Sequence, residues 1–274
     1  MSLLYVARVP VTSSDRHVPQ GAASPRPPIS RPRRTPPPDR QVRPEVLTDV
    51  LKRARATGQR GLVLFDLDST LLDNRPRQAR ILREFGAHRD IAPLLRCAPD
   101  FFDGWSLKPP MRVCGLADDD IETLEPQAKH FWRERFFTSE YCVDDIAIPG
   151  ANAYVHRVLS EGGSVIYCTG RHLEMRDGTV DCFRREGFPL PDEARVTLLM
   201  KPTFEMHDDD WKRVARDQIL ARGELIAAFD NEPTHINIYR EYFPDAQCVH
   251  LLTDESGRGI AVDASIPSVF DFEI

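Results

Sequence analysis

The chain has 274 residues, of which 41% are hydrophobic, enough for one α/β domain plus an inserted or appended module around a sizeable core. No apolar run approaches the ~20 residues that span a bilayer, and the start lacks the basic, apolar and small-residue pattern of a secretory signal, so the expectation is a cytoplasmic protein without a membrane partner. The net charge of −6 is unevenly placed: residues 1–44 carry eight arginines against Asp15 and Asp39, a surplus of +6, which leaves −12 on the remainder.

That first segment also holds ten of the 23 prolines. Proline at this density removes backbone donors and leaves too little apolar surface to offset ordering entropy, so residues 1–44 are expected to form a disordered tail. A basic arm of this kind could touch nucleic acid or a membrane surface, but a solvated leader or an over-long start-site assignment is the favoured reading. The six cysteines, Cys97, Cys114, Cys142, Cys168, Cys182 and Cys248, form no CxxC pair and sit mostly in apolar contexts, which suits reduced core thiols.

From Pro44 the pattern alternates. "PEVLTDVLKRARATG" has apolar residues at helical spacing and a glycine stop, and an apolar strand at 61–66 follows. The rhythm then breaks for 75–148, where "RQARILREFG", "IAPLLRCAPDFFDGW" and "DIETLEPQAKHFWRERFF" read as mostly helical. It resumes with helix "PGANAYVHRVLSEGG", strand "SVIYCT", helix "LEMRDGTVDCFRREG", strand "RVTLLM", helix "DDDWKRVARDQILARG", strand "LIAAFD", helix "EPTHINIYREYF" and strand "QCVHLL". Strands alternating with such helices predict a Rossmann-like α/β fold, a parallel sheet with helices on both faces. The core is expected over 45–74 and 149–274, with 75–148 inserted after the first strand as a helical cap over the mouth of the sheet.

The strand ends carry the chemistry. The first runs "GLVLFDLDST" into Asp66 and Asp68, the second ends "YCTGR" with Thr169 and Arg171, and another ends "FDNEP" with Asp230 and Asn231. In an open α/β sheet these C-terminal ends face the ligand crevice. Taken singly, paired aspartates can cap a turn and an Asp-Asn pair can form an Asx turn; their delivery to one edge is what points to a site. The acidic run Asp208–Asp210 reads as the first turn of a helix, where negative charge favours the dipole, and His172, His207 and His235 lack metal-ligand spacing.

In motif and order this resembles the haloacid dehalogenase superfamily of phosphohydrolases over residues 58–265, with a cap between its first and second motifs. The resemblance implies a Mg2+-dependent phosphatase working through an aspartyl-phosphate. Asp66 would be the nucleophile and Asp68 the general acid and base. The metal would be held by Asp66, the Asp68 carbonyl and Asp230, with Asn231 assisting, and Thr169 would bind the phosphoryl oxygens. Arg171 would offer donors to phosphate or substrate. The superfamily's lysine is Lys201 or Lys212; the spacing of 18 residues before Asp230 favours Lys212 and leaves Lys201 on the substrate side. The expected partner is a small phosphorylated substrate. Alternatives are polynucleotide 3′-phosphatase-like end processing, a phosphomutase and a non-catalytic phospho-ligand module. The first would want a basic groove, for which only Arg75, Arg77, Arg80 and Arg83 cluster near the mouth, and the last would be expected to have lost one of the acids or the threonine. The oligomeric state is not legible.

Overall fold

The computed structural model describes residues 36, 38, 40–192 and 194–274; the rest of the expected tail, 1–35, 37 and 39, lies outside the described residues. Gln41 O accepts from Ser268 N at 2.8 Å and Arg43 N donates to Ser268 O at 2.9 Å. The chain is thus already bonded to the edge of the sheet ahead of the boundary expected at residue 44. Helix α1 (Glu45–Thr57) follows, burying Val46, Leu47, Val50, Leu51 and Ala54 at helical spacing.

Strand β1 (Gly61–Phe65) is buried along its whole length because both of its faces are covered. Val63 and Phe65 join a cluster with Val50 of α1, Val155 of α5 (Ala151–Ser160) and Phe183 of α6 (Arg176–Glu186). Leu62 and Leu64 face the other way, toward Trp211 and Ala215 of α7 (Asp208–Leu220) and Ile236 and Tyr239 of α8 (Pro233–Tyr242). The period of two along an all-apolar run therefore serves two cores, one on each side of the sheet. Phe65 stacks on Phe229 at 4.9 Å between ring centroids, which locks β1 to its neighbour just below the motif.

Among the described residues, β1 lies at the centre of a parallel six-stranded sheet with β4 (Ser164–His172), β5 (Val196–Lys201), β6 (Glu224–Asp230), β7 (Gln247–Leu251) and β8 (Ser268–Val269), in the order β5-β4-β1-β6-β7-β8. The α/β class and the parallel sheet follow the sequence reading. Strand β4 runs past its expected end at Thr169, because after an irregularity the ladder resumes with His172 opposite Lys201. The short β8 was not anticipated; two residues carry no alternation signal.

Between β1 and β4 the chain leaves the sheet through a two-residue antiparallel ribbon, β2 (Leu72–Asp73) against β3 (Ile146–Ala147). The residues between are mostly helical: α2 (Arg75–His88), α3 (Lys108–Val113), α4 (Asp118–Phe136) and 3-10 turns such as Ser139–Asp144. They enclose a separate apolar cluster that includes Ile81, Phe85, Leu94, Met111, Ile121 and Trp132. All six cysteines are free and buried. No described helix is long and apolar enough to cross a membrane.

The insertion rests on α6 at one close approach. A Cβ on Gly178 would stand 2.2 Å from the Ser139 carbonyl oxygen, and Gly178 N donates to Ser139 Oγ at 3.2 Å. In a free helix, Gly→Ala stabilises by about 1 kcal/mol. Here the sign should reverse: Gly178→Ala is expected to destabilise by about 1–3 kcal/mol in urea unfolding, because backbone rather than a flexible side chain must move. A gain in stability would contradict the packing described.

Candidate active site

Asp66 and Asp68 leave β1 on one side while Leu67 between them is fully buried, as strand alternation requires. The turn that follows is tightly bonded: Leu72 N donates to Leu67 O at 2.9 Å, Ser69 N to Leu72 O at 2.8 Å, and Thr253 Oγ1 to Ser69 O. Ser69 sits at φ 63°, a left-handed conformation uncommon outside glycine, and these bonds hold it there.

The centre of the site is Lys212, on the second turn of α7 and completely buried. Its ammonium donates to Asp66 Oδ1 at 2.7 Å, Asp230 Oδ2 at 3.1 Å and the Cys168 carbonyl at 2.7 Å. The other candidate lysine, Lys201, is bonded to Asp208 Oδ1 at 2.7 Å, so Lys212 is the one that meets the opening aspartate. Helix α7 is anchored on β4 by Trp211, whose Nε1 donates to the Thr169 carbonyl at 2.8 Å. Gly170 permits this approach, since a Cβ there would lie 2.9 Å from the Asp208 carboxylate. Thr169 is buried at the same mouth, and its hydroxyl accepts from Arg171 N at 3.1 Å.

Burial and the neighbouring Asp230 push the Asp66 carboxyl up to about 7 against the pull of Lys212. Burial would raise Asp230 too, but Lys212 and His235 outweigh it and hold it at about 2. His235 itself resists the effect of burial and is raised to about 9 by Asp230 and Asp209. Its Nδ1 is 3.7 Å from Asp230 Oδ1 and its Nε2 is 3.0 Å from Asp209 Oδ1. Sequence reasoning set His235 aside for want of ligand spacing; the available signal was its place in the first turn of the helix that follows Asp230. The acidic turn Asp208–Asp210 does open α7, and in addition Asp208 and Asp209 anchor Lys201, His235 and Arg258.

Asp68 belongs to a second ionic group. Arg171 grips it with Nη2 at 2.5 Å and Nε at 3.0 Å, Asn74 Nδ2 adds a bond at 2.9 Å, and Arg77 lies at 3.5 Å. Behind them is Asp145, fully buried, which accepts from Arg171 Nη2 at 2.6 Å, Asn74 Nδ2 at 2.9 Å, and Arg77 Nε at 2.8 Å as well as Arg77 Nη2. The Arg171 guanidinium overcomes burial and keeps Asp68 below the ordinary carboxylate range. Arg171, expected to fork toward substrate, instead spends its donors on Asp68, Asp145 and Thr179. Asp145 was not singled out in the sequence at all. Asn231, expected beside a metal, accepts from Thr70 Oγ1 at 2.9 Å and donates to the Asp254 carbonyl at 2.5 Å.

Above these groups lies a cavity of about 230 Å³ whose wall includes Asp66, Asp68, Arg171, Asn231 and His235. Among the described residues no cluster of three or more His, Cys, Asp or Glu side chains could close around a metal on its own. Two carboxylates and a main-chain carbonyl nevertheless form the hard-oxygen set that Mg2+ accepts, since it keeps several waters. The raised Asp66 carboxyl marks a place where one further cation would be favourable.

No family model matches the sequence, and no curated protein matches it. By structure it is similar to a candidate phosphatase from Clostridium difficile, with 12% identity, a TM-score of 0.50 and coverage of 78% of this chain and 95% of that one. It is likewise similar to protein tyrosine kinase A of Mycobacterium tuberculosis, with 14% identity, a TM-score of 0.50 and coverage of 78% and 94%. A haloacid dehalogenase-like family hydrolase from Streptococcus pneumoniae aligns at 14% identity and a TM-score of 0.47, over 76% and 92%. The sheet and its helices thus share a Rossmann-like α/β fold with the candidate phosphatase from Clostridium difficile.

A carboxyl raised in the fold from 3.8 to about 7 binds more protons folded than unfolded between those values, so its contribution to stability falls as pH rises from about 4 to 7. In chelator-treated protein, the stability of wild type relative to Asp66→Asn should therefore decline across that window, read as the difference in urea midpoints. A flat difference would contradict the electrostatics described.

Proposed function

We propose that the protein is a Mg2+-dependent phosphohydrolase that cleaves a phosphate monoester through an aspartyl-phosphate on Asp66. The observation that carries this reading is the buried Lys212 ammonium held between Asp66 and Asp230, with Asp66 itself lining a cavity. Asp66 is the nucleophile: Lys212 fixes one of its oxygens and leaves the carboxylate at the mouth of the sheet, and one buried positive charge offsets the repulsion between carboxylate and phosphate. Asp66, Asp230 and the Asp68 carbonyl would hold Mg2+, with Asn231 assisting through water. When bound, the ion neutralises the phosphoryl group and favours in-line attack. Thr169 contributes a donor at the second strand end.

Asp68 serves the leaving group and then the hydrolytic water. Arg171 and Asn74 fix its orientation, and the ionised state they favour suits the base half of the cycle. Its acid half is needed only when the leaving alcohol departs poorly. We place nucleic-acid end processing second, because Arg77 and Arg80 near the mouth are bonded to Asp145, Glu84 and Asp144, and Arg83 to a carbonyl, rather than lining a basic groove.

The test is a Mg2+-supported phosphatase assay over a panel of metabolite esters that includes a 3′-phosphorylated oligonucleotide. Lys212→Ala should lower kcat by about 10²–10³, whereas Lys201→Ala should stay within about tenfold of wild type. The reverse order would hand the role to Lys201. Asp68→Asn should lose about 10²–10⁴ in rate on alkyl esters and much less in the phosphorylation step with aryl esters; equal losses on both would contradict its role as acid.

A further inference from the structure

The phosphoryl chemistry uses only one side of the cavity. The opposite wall comes from the insertion and is aromatic: Trp105, Trp132, Phe136 and Phe137. Trp132 and Phe136 are buried and stacked at 4.5 Å, and form the back of the wall. Trp105 stands edge-on to Phe136 at 5.4 Å and Phe137 edge-on to Trp132 at 5.5 Å. These two outer rings are only half-buried although the insertion has a core of its own to hide them in. Trp132 lines the cavity with part of its ring and is otherwise buried, so the surface on offer is the apolar faces and edges of these side chains.

Building on the phosphohydrolase reading, we propose that this wall is a subsite for a planar aromatic ring carried by the alcohol part of the phosphate ester. Trp105 and Phe137 pack against the ring. An apolar, aromatic wall facing a few placed polar groups is how small-ligand sites combine affinity with orientation. At about 230 Å³ the cavity falls below the ~300–1,000 Å³ of sites for drug-sized ligands, in keeping with a small ester. The wall is tied to the reaction centre through Arg77, which donates to the Phe136 carbonyl at 2.8 Å, stacks over the Phe136 ring at 4.2 Å and bonds Asp145.

The discriminating substrates share one leaving group. A nucleoside 5′-monophosphate and ribose 5-phosphate both release a primary alkoxide and differ by the ring alone. The ring-bearing ester is expected to have a kcat/KM about 10–100-fold higher, mostly through KM, since stacking acts on ground and transition states alike. Trp105→Ala and Phe137→Leu should each shrink that ratio by about fivefold or more, with melting curves confirming that the variants fold. A wild-type ratio near one, or variants that slow both esters equally, would overturn the subsite. If no ester is hydrolysed with Mg2+, the phosphohydrolase reading fails by itself. Titration of the protein with the free nucleoside then decides the subsite separately: quenching of tryptophan fluorescence that Trp105→Ala weakens supports it, and no binding overturns it.

Discussion

One buried ammonium organises the site. Lys212 has no exposure to solvent, so its charge must be compensated within the fold, and it is compensated by two carboxylates from different strands, Asp66 after β1 and Asp230 at the end of β6. Removing one partner of such a group leaves an unpaired buried charge and costs about 3–5 kcal/mol, so α7 must stay seated on the sheet for the protein to remain folded. The Trp211 bond to Thr169 and the missing side chain of Gly170 serve that seating. The same requirement keeps the proposed nucleophile, Asp66, and its electrostatic partner in fixed register, so folding and the proposed chemistry draw on the same contacts.

A second ionic group makes the insertion part of the site. Asp145 lies where the insertion returns to the core, Arg77 in the first turn of α2 where it departs, and Arg171 at the end of β4. Their mutual bonds reach Asp68, so the orientation of that carboxylate depends on both ends of the insertion being closed. The β2–β3 ribbon performs the same closure in the main chain. An insertion joined this way can carry an aromatic wall to the cavity without loosening the Asp66 and Asp68 carboxylates.

Much of this was legible in the sequence wherever a residue type and its local period act together. A buried parallel strand has to be apolar throughout, so carboxylates immediately after "LVLF" could only lie at its mouth, and the order of "DLDST", "TGR" and "FDN" at strand ends placed them on one edge. The helical character of 75–148 followed from its spacing of apolar residues. Groups whose role is created by tertiary closure were not legible. Asp145 sits in "DDIAIPG" without a motif, and its partners are 26 to 71 residues away in the chain. Arg171 could be assigned to substrate on residue type, because nothing local shows that two carboxylates already hold it. Two-residue strands such as β8 are below the length at which alternation says anything.

The central claim is that Asp66 carries the phosphoryl group. Rapid quenching of Asp68→Asn during turnover of an aryl phosphate with Mg2+, followed by mass spectrometry of the peptide spanning residues 61–74, tests it most directly. The account predicts a phosphoryl adduct on Asp66 that accumulates because its hydrolysis lacks a base, is cleaved by hydroxylamine, and is absent when Asp66→Asn is added. A phosphoryl group on another residue, or undiminished turnover in Asp66→Asn, would contradict it.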